Sequence, residues 1–269
     1  MLLQIYFVLM FLIFFFALVF KYRSQLRNVD LNVLNYLILR KEHEANSEIK
    51  NNIKLFDKDD SLPKVIHQTY FNLTKIPQKV FTNIRYFAPD FEHKVYDDIA
   101  VEHFLQSHFS PCVLKTFRRL HQGAHKADLF RYAVLYVYGG IYLDIKTELV
   151  RGITDIFRNG LTTVYSKKHN EIYQGVISSY PKNKMFLYLI DAIVRGPSNP
   201  LYNRHCLDMY AYLLSNKNKD IKITMYQEKC SSIDCSNCAD GFDRYGYCCN
   251  IYDGKNIIIK TRYSDYPWK

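Results

Sequence analysis

At 269 residues, 48% of them apolar, the chain is long enough for one well-buried domain of catalytic size with an appendage, and too short for two large ones. Lysine and arginine outnumber aspartate and glutamate 36 to 26, a balance that suits nucleic acid, an anionic membrane surface or a phosphate-bearing small molecule. The basic residues are spread along the chain with no zinc-finger, RNA-recognition or helix-turn-helix signature, so no nucleic-acid partner is expected.

The first twenty residues, MLLQIYFVLMFLIFFFALVF, carry no charged side chain and as a helix reach roughly 28 Å, close to the hydrocarbon thickness of a bilayer. No basic residue precedes the run and no small-x-small site closes it before Lys21, so residues 1–20 are expected to be an uncleaved transmembrane signal-anchor rather than a leader peptide. Lys21, Arg23 and Arg27 follow the span, and by the positive-inside rule they argue for a cytosolic main domain. Residues 21–62 mix a short apolar-periodic piece, LNVLNYLIL, with a charged, amide-rich stretch, and read as a stem.

Pro63 introduces KVIHQTY, a β-rich run with His67, Gln68 and Thr69 towards its end. Residues 76–89 have helical periodicity, HKVYDD reads as a second strand, and AVEHFLQSHF as a helix. Alternating strands and helices predict an α/β domain with a mostly parallel sheet flanked by helices and a ligand site beyond the carboxyl ends of the strands. The most informative stretch is residues 121–150, HQGAHKADLFRYAVLYVYGGIYLDIKTELV. Ala127, Phe130, Val134 and Val137 recur at helical spacing as a core face, Gly139-Gly140 allows a tight reversal, and the strand IYLD follows. Asp144 then stands at the end of that strand, while Asp128 and Arg131, three apart, share one side of the helix, so three ionisable groups are expected to converge on one cleft. His121 and His125 lie one turn apart, a spacing that allows both to face the same cleft, although the ordinary reading of helix histidines is a solvated surface.

Beyond this unit TTVYS and IYQGVISS read as strands, KMFLYLIDAIV and LDMYAYLLS as helices, and NIIIK as a last strand before the tail YSDYPWK. Five of the seven cysteines, Cys230, Cys235, Cys238, Cys248 and Cys249, cluster in residues 230–249; they suit small disulfide loops in an oxidising lumen or a structural zinc in a reducing compartment.

K-A-D-L-F-R-Y, then Y-G-G-I-Y-L-D-I-K, together with the upstream P-K-V-I-H-Q-T-Y, resembles the glycosyltransferase family with the DXD-containing sugar-binding region, which includes initiating mannosyltransferases and inositol-phosphoceramide mannosyltransferases. The resemblance covers roughly residues 63–195 and more loosely the tail, and implies a GT-A fold, expected to span residues 63–269 behind the one transmembrane helix read from residues 1–20. It also implies transfer of a hexose, with retention of configuration, from a nucleotide-diphosphate sugar such as a UDP- or GDP-sugar to a glycan or glycolipid acceptor. Carried over residue by residue, it makes Asp128, Arg131 and Asp144 the catalytic set. It places His67, Gln68 and Thr69 at the nucleotide end of the pocket, Gln174 facing the sugar, and Trp268 in a tail that closes over the donor. Frequent Mn²⁺ dependence is also implied, with Asp144 as the metal ligand. Lys146 departs from the pattern: it stands where the second aspartate of the motif, commonly the direct metal ligand, should be, and a fixed ammonium there can partly replace a cation opposite a diphosphate. The same departure motivates the alternative of a catalytically inactive glycosyltransferase-like membrane protein that binds glycans or a partner. Glycosyltransferase habit and the sequon Asn72-Leu73-Thr74 point to a single-pass protein with its domain in the Golgi or ER lumen, against the basic residues after the span.

Overall fold

The computed structural model describes residues 62–158, 160–215, 222–231 and 248–268. Among these no helix is long and apolar enough to cross a membrane. The expected anchor, and all of the expected stem but Leu62, lie outside the described residues.

Strand β1 (Val65–Thr69) leads through a short 3-10 turn into helix α1 (Gln78–Phe87), strand β2 (Glu92–Tyr96) and helix α2 (Asp98–His108). Asp97 caps α2 by accepting from the amide of Ala100 at 2.8 Å. Helix α3 (Pro111–Arg119) follows, opened by a proline at its first turn where the missing N–H costs nothing. Helix α4 (Gly123–Tyr138), strands β3 (Gly140–Leu143) and β4 (Glu148–Leu149) and a short helix α5 (Ile153–Ile156) come next. The chain continues through β5 (Leu161–Ser166), β6 (Glu171–Ser179), α6 (Lys184–Arg195), α7 (Arg204–Leu214), β7 (Ile223–Ser231), β8 (Cys248–Asp253) and β9 (Asn256–Lys260).

The strands form one sheet in the order β2-β1-β3-β6-β5-β7-β8-β9-β4. A mostly parallel sheet was the expectation, and the structure corrects it. Only β1/β2, β1/β3 and β5/β7 run parallel, and the other five pairings are antiparallel. For two of the five the physical reason is the connection: a parallel neighbour needs a long crossover, such as α1 between β1 and β2, whereas the short links from β5 to β6 and from β8 to β9 can only reverse the chain. In the parallel part β2, β1 and β3 run in the same direction, so their carboxyl ends lie on one side of the sheet.

Side chains alternate across the sheet. Ile66, Ile141 and Leu143 enter a core with Ile84 of α1 and Ile153 of α5, while Tyr142 enters the larger core on the opposite face, with helices α2, α3, α4, α6 and α7. Helix α4 is buried almost all round from Asp128 to Tyr136, so its apolar surface is wider than the four-residue face read from periodicity. Gly139 and Gly140 both have positive φ, and a Cβ on either would stand 2.5–2.6 Å from atoms of Val65 or Pro181, so only glycine permits β3 to start directly after α4.

Candidate functional site

The α4 helix, the Gly139-Gly140 reversal and the end of β3 bring Asp128, Arg131 and Asp144 together. The Arg131 guanidinium lies between the two carboxylates: one terminal nitrogen is 2.7 Å from Asp128 Oδ1 and the other 3.1 Å from Asp144 Oδ1. Its carbon lies over the Tyr142 ring, 4.7 Å from the centroid, and it also donates to Gln174 Oε1 at 3.1 Å. The sheet supplies Tyr142 and Gln174 from β3 and β6, which pair side by side. Burial disfavours the arginine's charge, but Tyr142 and the carboxylates of Asp128 and Asp144 outweigh it, so Arg131 stays ionised. Burial likewise pushes the Asp128 carboxyl upward, and Arg131 pulls it back. The contact at 2.7 Å to a group that cannot lose its charge makes this an ion pair.

Asp144 is the most accessible member, with 21% of its side chain exposed. Oδ1 accepts from Arg131 and from the Tyr142 hydroxyl at 3.2 Å. Oδ2 is the oxygen nearer Lys146, whose Nζ stands 3.8 Å away. Gly175 makes room for it. A Cβ at that position would come within 2.8 Å of Asp144 Oδ2 and 2.4 Å of the Tyr173 hydroxyl, while the Gly175 carbonyl accepts from the Asp144 amide at 2.8 Å.

Gln174 is fully built into this cluster. Besides accepting from Arg131, its amide nitrogen donates to the His205 carbonyl at 2.7 Å and to the Tyr132 hydroxyl. His67, Gln68 and Thr69 are placed differently. His67 has no exposure; its Nε2 donates to the Gly139 carbonyl at 3.2 Å and its Nδ1 lies 3.3 Å from the Tyr96 hydroxyl. Burial, with the Lys94 charge, lowers its pKa to about 4 against the opposing pull of the Gly139 carbonyl, so it is neutral. Gln68 accepts from His93 at 2.7 Å and donates to the Asp144 carbonyl at 3.2 Å, and Thr69 donates to the Tyr96 carbonyl at 2.9 Å. Thus His67 and Gln68 fasten the Gly139-Gly140 turn and the Asp144 backbone to β1. Trp268 packs with Tyr70, Tyr263 and Tyr266, and its Nε1 donates to Asp265 at 3.3 Å. The tail that carries it is tied to the site loop, because the Tyr263 amide donates to the Lys146 carbonyl at 3.0 Å.

The residues present do not fit a Mn²⁺ ion at the motif position. Hard divalent cations take several oxygen ligands, but Asp144 has one oxygen committed to Arg131 and Tyr142, and its other faces an ammonium. Among the described residues Asp144 joins no group of three metal-ligating side chains. Cys230 and Cys249, which face each other across β7 and β8, form a disulfide, so these two are not zinc ligands, and Cys235 and Cys238 lie outside the described residues.

The sequence reading missed Tyr142, Gly175 and His205 and left His125 on a solvated surface. His121 is exposed, but His125 has no exposure and lies against His205 of α7, ring centroids 5.3 Å apart. The i, i+3 spacing of His125 and Asp128 carried that signal, since it places both on one side of α4; nothing local announced the partner from α7.

The profile of the glycosyltransferase sugar-binding region containing the DXD motif matches residues 35–162. An uncharacterized glycosyltransferase of Acanthamoeba polyphaga mimivirus is 27% identical over 220 residues, 76% of this chain and 84% of that protein. A mannosyl phosphorylinositol ceramide synthase of Saccharomyces cerevisiae is 27% identical over 143 residues, and an initiation-specific alpha-1,6-mannosyltransferase of Candida albicans is 28% identical over 132. The alignments cover 51% and 45% of this chain but only 37% and 34% of those two fungal proteins.

Proposed function

We propose, from the premise that this chain is a glycosyltransferase with the DXD-type sugar-binding region, that it moves a hexose from a nucleotide-diphosphate sugar to a glycan or glycolipid acceptor within a GT-A fold. Mannose is the first sugar to test, since the named fungal relatives are described as mannosyl-transferring proteins.

The observation that carries this reading is the Asp128–Arg131–Asp144 network at the carboxyl end of β3. A transferase must place a sugar and stabilise the charge that grows on the leaving diphosphate. Asp144 Oδ2 is an acceptor held in position by three partners of its neighbouring oxygen and backbone, which suits a sugar hydroxyl. Lys146, 29% exposed at its side chain, supplies the cation on the open side, opposite where a diphosphate would lie. Arg131 positions both carboxylates and adds a fixed positive charge behind them. Retention of configuration, which the resemblance implies, is part of the proposed reaction.

We place the protein in the membrane by its apolar first twenty residues, with its domain in an ER or Golgi lumen. The Cys230–Cys249 disulfide supports an oxidising compartment. Removing residues 1–20 is expected to release the domain from membranes with donor binding intact; sedimentation with membranes after a carbonate wash would refute the anchor.

The deciding experiment is a panel of UDP- and GDP-sugars presented to the purified chain, read by thermal shift and by donor hydrolysis. A donor that binds the folded state raises its melting temperature by mass action. Stabilisation and hydrolysis by one donor, both lost in Asp144→Asn, are expected. Neither signal with any donor would sink the transferase reading.

A further inference from the structure

We infer that His125, Asp128 and His205 form a binding site for a divalent cation of the zinc class, separate from the Asp144 position, which fastens helix α7 to helix α4. This goes beyond the transfer reaction and does not depend on it.

His125 and Asp128 lie one turn apart on α4, and His205 comes from α7 to face them. One ligand atom from each lies within 4.8 Å of the others, close enough for one ion to draw all three in. All three are buried, with relative exposures of 0%, 6% and 4%. Among the described residues neither nitrogen of either imidazole has a hydrogen-bond partner. A buried polar ring left unbonded costs free energy comparable to a lost hydrogen bond, and native interiors rarely carry such a group. Here two unbonded rings stand together beside a carboxylate. That concentration is what an ion explains: one nitrogen of each ring and one oxygen of Asp128 are satisfied at once.

The surroundings have the form of an outer ligand shell. Ligating histidines donate their second ring N–H to a carboxylate or a backbone carbonyl, which fixes the tautomer. Asp208 Oδ2 lies 3.9 Å from His205 Nδ1, and the carbonyls of Leu201 and Tyr202 approach His125 without closing a hydrogen bond. A shift of under an ångström would close the first contact. Asp128 Oδ1 is held by Arg131, which leaves Oδ2 for the ion. Two imidazoles and one carboxylate suit zinc better than magnesium or manganese, which prefer oxygen alone, and they leave a fourth position for water. The Arg131 charge close by is balanced by Asp128 and Asp144.

The consequence is positional. His205 also offers its backbone carbonyl to Gln174, which touches Arg131, so an ion on His205 would hold α7, Gln174 and the Arg131 cluster in one arrangement.

The test uses the purified full chain, stripped with chelator and titrated with Co²⁺ as a spectroscopic probe for zinc, with zinc content measured by mass spectrometry on untreated protein. The expected result is zinc retained through dialysis, the ligand-field bands of low-coordinate Co²⁺ with nitrogen ligands, and loss of both in His125→Gln and His205→Gln. Asp144→Asn keeps them. Should the histidine variants fold poorly, the wild type decides alone: Zn²⁺ raises its melting temperature after stripping. Absence of both the bands and that shift overturns the site and assigns the imidazoles to buried water. Bands that survive in His205→Gln and vanish in Asp144→Asn overturn it in favour of an ion at the Asp144 position. Donor binding is read separately, so failure here and failure of the transferase reading are distinguishable.

Discussion

The Lys146 ammonium stands 3.8 Å from Asp144 Oδ2, on the open side of a carboxylate whose other oxygen is already held by Arg131 and Tyr142. Where a metal-dependent site would set two carboxylates facing a cation, this chain sets one carboxylate beside a built-in cation. Added Mn²⁺ is therefore expected to leave donor binding by the wild type unchanged. Lys146→Ala weakens donor binding, and Lys146→Asp makes it rise with Mn²⁺. Calorimetric titration of donor with and without the metal checks this; strong Mn²⁺ dependence in the wild type would sink the substitution idea.

Asp144 and Arg131 should separate activity from stability. A site of solvated groups would lose activity without losing stability in either variant, but Arg131 and Asp128 are buried at their side chains, 6% and 8% exposed. Removing one partner of such a pair leaves an uncompensated charge, so Arg131→Ala is expected to cost about 3–5 kcal/mol of stability. Asp144→Asn, at a more exposed side chain and isosteric, should leave the melting temperature nearly unchanged and cut transfer roughly a hundredfold or more. Denaturant melts alongside transfer assays give both numbers.

Gly175→Ala tests how tightly the β6 backbone supports Asp144. The added methyl would meet the Tyr173 hydroxyl at 2.4 Å and Asp144 Oδ2 at 2.8 Å. Overpacking of this kind costs about 1–3 kcal/mol. Because the carboxylate must also move, transfer should fall by roughly tenfold or more, beyond what the residual folded fraction explains. Unchanged transfer at full stability would show that Asp144 has freedom the geometry denies it.

The pH dependence of stability follows from His67. Its pKa is lowered by burial from 6.5 to about 4, so above pH 6.5 it is neutral folded or unfolded and contributes no slope. As pH falls from 6.5 to about 4 the unfolded chain takes up a proton that the folded chain refuses, and stability drops, by about 3 kcal/mol once below the folded pKa. His93, lowered to about 4 by burial, adds to the same slope. His67→Gln should flatten the curve between these pH values, measured by denaturant unfolding.

Asn72 lies in the short turn after β1, its Oδ1 accepting from the Thr74 amide at 3.0 Å and hydroxyl at 2.7 Å. The turn is at the surface, with Asn72 half-buried and Leu73, Thr74 and Lys75 exposed. In cells a glycosidase-sensitive mobility shift that disappears in Asn72→Gln is expected. Complete digestion of the domain by protease added to intact microsomes would place it in the cytosol instead.

The unit from α4 through Gly139-Gly140 to Asp144 was determined by the sequence alone, because its causes are local. Helical spacing, two glycines that alone tolerate the reversal, and a β-rich run fix where Asp128, Arg131 and Asp144 stand along the chain, and their residue types announce the chemistry. What only the tertiary structure decided depends on segments far apart. The antiparallel pairings of β3 with β6, β7 with β8 and β4 with β9 join strands that no short link connects, so nothing local announced them, and helix α3 and strands β7 and β8 were not evident from pattern. The burial of Arg131 over Tyr142, the partnership of Gln174, and the meeting of His125 with His205 all require α7 and β6 to pack against α4. Periodicity along one segment reports which side of it is apolar; it carries no information on which distant polar group will be buried against that side, since that is settled by packing the whole chain at once.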